Sequence, residues 1–243
     1  MKRLLLLTTS LLSLATAASA QDEPPKYLRF LPLGELPVWK EELKNGIRMG
    51  KEPPPGSMPP KELALLSGGE VVPFQLTLRS FTGKMRMDGK TPGLAIKKGK
   101  GVDDPNWVTS AKPTAPLSLA VLYRDPATMK WDNPQIKVLP DDASSFKVKN
   151  IRFVNVSENL VLIKLNDGKG KGVKKGDSLI MPLKEGMNKI MVGYQAAGGK
   201  QVELWNNQIR VQSNQRVQCF FYKAQDARAT GAVRFYYTQE PAP

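Results

Sequence analysis

Apolar and polar residues alternate along most of the chain in short runs rich in Val, Ile, Leu, Phe and Tyr, and Gly, Asn, Asp or Pro bounds each run. A period of two turns one side of an extended segment toward a core and the other toward solvent, so these runs predict strands. In the C-terminal half they fall at 151–156, 160–165, 178–183, 187–194, 201–205, 208–212, 216–223 and 232–238. Asp167-Gly168, Lys175-Gly176-Asp177, Glu185-Gly186, Gly198-Gly199, Asn206-Asn207 and Ser213-Asn214 separate them as turns. Strands this short and this closely spaced must each bury one face against a second sheet, which predicts an Ig-like β-sandwich.

The N-terminal half is less regular. Strands are expected at 27–33, 63–66, 73–80, 117–124 and 134–139. One short helix is expected at 38–44, where Pro37 presets the first turn, Trp39 and Leu43 share a face and Asn45-Gly46 supplies a stop. Comparison of the halves points to internal duplication. Leu28-Arg29-Phe30-Leu31 aligns with Ile151-Arg152-Phe153-Val154 at an offset of 123, and Leu122-Tyr123-Arg124 with Phe221-Tyr222-Lys223 at an offset of 99. A middle anchor sets Phe74, Leu76 and Leu78 over Ile190, Val192 and Tyr194. The first half then reads as the second with two surface insertions, the proline-rich stretch 52–60 and the Gly-, Lys- and Pro-rich stretch 84–116. The expected organisation is all-β, with two tandem Ig-like β-sandwich domains at 21–140 and 148–240 and a polar linker at 141–147.

The first twenty residues change the picture of where the protein works. Lys2 and Arg3, an apolar run at 4–14 and the small residues Ala18-Ser19-Ala20 form a signal peptide, with cleavage expected before Gln21 and no membrane span in the mature chain. The chain holds 36 Lys and Arg against 22 Asp and Glu, one cysteine and no histidine. A lone cysteine excludes an internal disulfide, and Cys219, alternating with Val217 and Phe221, reads as a buried apolar residue. Outside the cytoplasm a basic surface meets glycans, lipid headgroups and cell-wall polymers, so nucleic acid is not expected as a partner.

The absence of histidine removes Ser-His-Asp and Cys-His catalysis and imidazole-held zinc. Ser144-Ser145-Phe146-Lys147 has the spacing of a Ser-Lys dyad, which requires a helix, yet it leads into a strand. Gly89-Lys90-Thr91 lacks the earlier glycine of a phosphate-binding loop and runs into Pro92-Gly93. Asp103-Asp104, with Asn106, and Asp141-Asp142 are the candidates for a metal or an acid–base pair, but adjacent loop carboxylates diverge. No catalytic residue, metal or cofactor is therefore expected. The most unusual run places Lys169, Lys171, Lys174 and Lys175 among alternating glycines, echoed by Lys97, Lys98 and Lys100. A free backbone with closely spaced lysines suits an anion-binding loop, and equally a solvated hairpin tip that discourages edge pairing.

The layout from Ile151-Arg152-Phe153-Val154-Asn155-Val156-Ser157 through 160–165, Gly176, Leu183, Gly186 and Tyr194 is that of small extracytoplasmic sandwich domains. Two such domains behind a signal peptide resemble the two-domain periplasmic accessory proteins typified by the alginate O-acetylation adaptor. That resemblance implies a non-catalytic partner protein, with no catalytic residue to carry over. The expected function is an exported, periplasmic or secreted accessory protein that binds another envelope protein or an anionic glycan. The alternatives are a carbohydrate hydrolase using loop carboxylates from 102–107 and a structural subunit of a surface assembly.

Overall fold

The structure, a computed structural model, describes residues 24–38, 40–88, 93–225 and 231–242. The expected signal peptide, Trp39 and the Gly89-Lys90-Thr91 turn lie outside the described residues. In chain order the first half contains β1 (Lys26–Leu33), β2 (Glu41–Lys44), β3 (Ile47–Gly50), β4 (Leu63–Ser67), β5 (Glu70–Phe74) and β6 (Met85–Met87). It continues with β7 (Gly93–Lys98), β8 (Asn106–Ala111), β9 (Leu117–Tyr123) and β10 (Gln135–Pro140). The second half contains β11 (Asn150–Asn155), β12 (Val161–Leu165), β13 (Lys171–Val173), β14 (Ser178–Pro182), β15 (Gly186–Gln195), β16 (Gln201–Val211), β17 (Gln215–Lys223) and β18 (Val233–Pro241).

Each half is a sandwich of two four-stranded sheets, as the alternation predicts. The first pairs β10-β9-β1-β6 with β5-β4-β7-β8, and the second pairs β18-β17-β11-β14 with β16-β15-β12-β13. Strand for strand the two orders are the same, with the β2–β3 hairpin as the element particular to the first half. The register repeats as well: β1 runs parallel to β9 with Arg29 opposite Leu119, and β11 runs parallel to β17 with Arg152 opposite Gln218. Those two pairs are related by the offsets read between the halves.

The two inner sheets are buried on both faces. Leu28, Phe30, Ala120 and Leu122 point into the first sandwich, and Ile151, Phe153, Cys219 and Phe221 into the second. The intervening residues Leu31, Leu33, Leu119 and Val121 meet Val154, Val156, Phe220 and Tyr222 in a third core between the sandwiches. The molecule is thus a four-layer stack, and its central strands are parallel pairs covered on both sides, which explains their near-continuous apolar sequence.

Several expectations are corrected by this architecture. Residues 41–50 form a hairpin and no helix, because Asn45 and Gly46 adopt φ of 51° and 80°, the left-handed pair that a tight two-residue hairpin turn requires. The stretch 84–116 is no surface insertion, since it supplies β6, β7 and β8, and Leu94, Ile96, Trp107 and Val108 enter the core. The middle anchor fails: β15 corresponds in sheet position to β7, whereas Phe74 ends β5. Asn206-Asn207 makes no turn, because β16 runs unbroken from Gln201 to Val211. The linker at 141–147 is packed into the stack, with Asp141 and Phe146 fully buried.

Candidate interaction surfaces

The residues around Asp141 form a buried ionic cluster at the junction of the sandwiches. Its carboxylate accepts hydrogen bonds from Arg29 Nε at 2.7 Å, Arg216 Nη2 at 3.1 Å and Arg152 Nη2 at 3.3 Å. Glu240 accepts a two-pronged contact from Arg29, 2.7 Å on each arm, and further bonds from Arg216 and Gln218. The guanidinium of Arg152 lies 4.0 Å and that of Arg216 4.8 Å from the Phe146 ring centre, while Arg29 covers Phe81. Three cations face two anions, so the cluster carries one excess positive charge. Burial therefore pushes Arg152 down to about 10, against the pull of Asp141 and with the help of Arg216 and Arg29. Burial alone would raise Glu240, yet its bonds and proximity to Arg29, then Arg216 and Gln218, hold it below the usual carboxylate range. Every charge here is engaged with another, which makes this a structural clamp.

Asp142, Ser144, Ser145, Asp104 and Asn155 are also tied into the fold by hydrogen bonds. Asp142 accepts from the backbone amides and hydroxyls of Ser144 and Ser145; burial opposes ionisation, but these bonds bring its pKa down to about 2. This engages Ser144 as a turn former. Asp104 receives the Gly101 amide at 2.6 Å and fills the space beside Gly99, whose φ of 126° brings the loop around it. Asn155 donates to the Asn159 and Val173 carbonyls and accepts from Ser157, so Asn155, Val156 and Ser157 are buried and the two polar side chains internally satisfied. Among the described residues no group of three or more His, Cys, Asp or Glu is placed to hold a metal, and no helix is long and apolar enough to cross a membrane.

The seven lysines are not brought together. Lys97 and Lys98 end β7, in one outer sheet, and Lys171 lies in β13, in the other. The first Gly/Lys run is therefore half strand, and the second holds an edge strand in place of a free hairpin tip. Lys175 binds Glu158 at 2.8 Å and Lys100 binds Glu62 at 2.9 Å, while Lys169, Lys171 and Lys174 are exposed.

What the glycines do becomes visible only in the sheet. Gly172 pairs with Leu162, Leu162 with Gly193, and Gly193 with Glu203, forming one row across the outward face. Two positions of that row lack side chains, which leaves an open groove of about 530 Å³ with Leu162 and Met191 on its floor and Lys164, Lys171 and Glu203 at its margins. Gly193 is dictated by packing as well: a Cβ there would stand 2.7 Å from the Val202 carbonyl oxygen.

A second surface escaped the sequence reading altogether. Among the described residues the β2–β3 hairpin pairs with no other strand, and Leu36 (60% exposed) and Val38 (72%) before it and Leu43 (70%), Ile47 (66%) and Met49 (50%) within it leave apolar side chains in solvent. The Asn45-Gly46 pair between short extended runs was the available signal. At the root of the arm Pro37, Pro53, Pro54 and Pro55 wall a shallow groove. No family model matches the chain, and comparison with the curated proteins finds no match either.

Proposed function

We propose that the protein is an exported, non-catalytic accessory protein of the cell envelope, in which a rigid stack presents an outer sheet to an anionic glycan. The observation that carries this reading is the glycine-cleared groove on the β12–β13–β15–β16 face, with Lys164 beside it and Lys169, Lys171, Lys174 and Lys175 on and around the edge strand. An open, shallow trough with exposed cations along one side admits an extended polyanion without enclosing it. The engagement of Asp104, Asp141 and Asp142 in turns and ion pairs supports a binding role over hydrolysis by loop carboxylates. The repeated topology supports descent by internal duplication, and two sandwiches behind a signal peptide keep the layout of periplasmic accessory proteins.

Retention on an immobilised anionic polysaccharide tests this. The wild type should be retained at low ionic strength and released near physiological salt, where the screening length is about 8 Å. A K169Q/K171Q/K174Q/K175Q variant should elute at clearly lower salt with unchanged thermal stability, since exposed positions usually contribute within about 0.5 kcal/mol. Equal retention of the two proteins would overturn the glycan reading. The export component is checked separately: the mature protein should begin at Gln21 by mass spectrometry.

A further inference from the structure

We propose that the β2–β3 arm is a membrane-surface anchor that seats its apolar tip in the interfacial layer of an anionic bilayer. The proposal stands apart from the glycan reading, which concerns the opposite half of the chain.

An isolated two-stranded hairpin is marginally stable in water, and this one gains nothing from the sandwich cores: residues 41–50 contribute no buried side chain. The cross-strand pairs show how its side chains are divided. Glu42 faces Met49 and Lys44 faces Ile47 on one side of the ribbon, whereas Leu43 faces Arg48 on the other. Apolar groups therefore project from both faces. A protein groove would cover one face and leave the other wet; a lipid interface surrounds an inserted ribbon and accepts both.

Charge follows the same axis. Between Leu43 and Arg48 the arm has two cations, Lys44 and Arg48, and no anion; its two acids, Glu41 and Glu42, stand at the root, where Glu42 meets Lys44 at 2.9 Å and Glu41 meets Arg48 at 3.8 Å, both in solvent-exposed pairs. Long basic side chains at the tip can reach headgroup phosphates while their stems lie among acyl chains, and acids farther back avoid the same phosphates. The full sequence carries formal charge +14, and +12 remains once Lys2 and Arg3 leave with the expected signal peptide, which draws the protein toward anionic lipid. Depth is limited by the backbone, because both outer edges of the ribbon lack strand partners and could not be desolvated in hydrocarbon. Shallow insertion of Leu43, Ile47 and Met49 satisfies both constraints.

Cys219 is fully buried, so Ile47→Cys supplies a single accessible thiol for an environment-sensitive fluorophore. On phosphatidylglycerol/phosphatidylcholine vesicles the label should shift to the blue and brighten, with little change on phosphatidylcholine alone. A Leu43→Ser/Ile47→Ser variant should co-sediment with the anionic vesicles about tenfold less than wild type, while K169Q/K171Q/K174Q/K175Q should leave the label's shift intact. No shift on anionic vesicles, or wild-type sedimentation of the double variant, would overturn the proposal. So would sedimentation velocity showing a dimer that the double variant turns into a monomer, since a second copy would then cover the arm.

Discussion

Asp141→Asn is the most informative single change, because it removes one charge and almost no volume from the clamp between the sandwiches. Asp141 and Arg216 are fully buried and Arg152 nearly so. A unit pair about 4 Å apart at an effective dielectric of about 20 gains about 4 kcal/mol, so three guanidiniums around one carboxylate gain roughly 12 kcal/mol before desolvation is counted. Taking the ions from water costs several kcal/mol each and cancels most of that. Removing the shared anion still leaves three cations on Glu240 alone, and the asparagine amide adds a donor among donors. The expected loss is the ~3–5 kcal/mol typical of a broken buried pair. For a chain of this size that corresponds to roughly 6–20 °C in melting temperature. Arg152→Met should behave oppositely. Arg152 makes the longest of the three contacts and burial disfavours its charge, so its removal should change stability by no more than about 1 kcal/mol. Urea denaturation of wild type, both single variants and the double variant measures each value and their coupling. A loss below about 1 kcal/mol for Asp141→Asn, or an equal loss for Arg152→Met, would refute the assignment of excess positive charge.

Acid should weaken the fold in a defined window: Glu240 and Asp142 are held below their ordinary values, so their contribution is complete above about pH 4.5 and drains as pH falls through the folded values. The urea midpoint should be flat near neutrality and decline below about pH 4, and a midpoint that rises on acidification would contradict this. Gly193→Ala should cost about 1–3 kcal/mol in chemical denaturation, because the new methyl would collide with the Val202 carbonyl; a loss under about 0.5 kcal/mol would mean that the bulge beside it yields. Cys219, whose thiol burial pushes upward, should resist a thiol reagent at mildly alkaline pH until the protein unfolds, and rapid native labelling would place it nearer the surface than the structure does.

Period-two alternation, with turn residues at its breaks, was enough to establish the all-β class and most strands of the second half, since burial of one face is written locally in each run. The Phe30/Phe153 and Tyr123/Tyr222 correspondence was legible for the same reason: strands in equivalent sheet positions face equivalent cores. Other features depended on partners distant in the chain. Asn45-Gly46 serves as a helix stop or a hairpin turn, and the pairing of Leu43 with Arg48 decided between them. Residues 84–116 carry the Gly, Lys and Pro of a loop, yet Leu94 and Ile96 become core because β7 lies between β4 and β8. Gly172 and Gly193 lie 21 positions apart and clear a groove only because Leu162 pairs with both. Arg29, Arg152 and Arg216 stand in apolar strands with no nearby acid to mark their role, and Asp141 reads as part of a polar break. Stacking the inner sheets face to face brings these charges together and buries them, and that long-range packing lies beyond any local pattern.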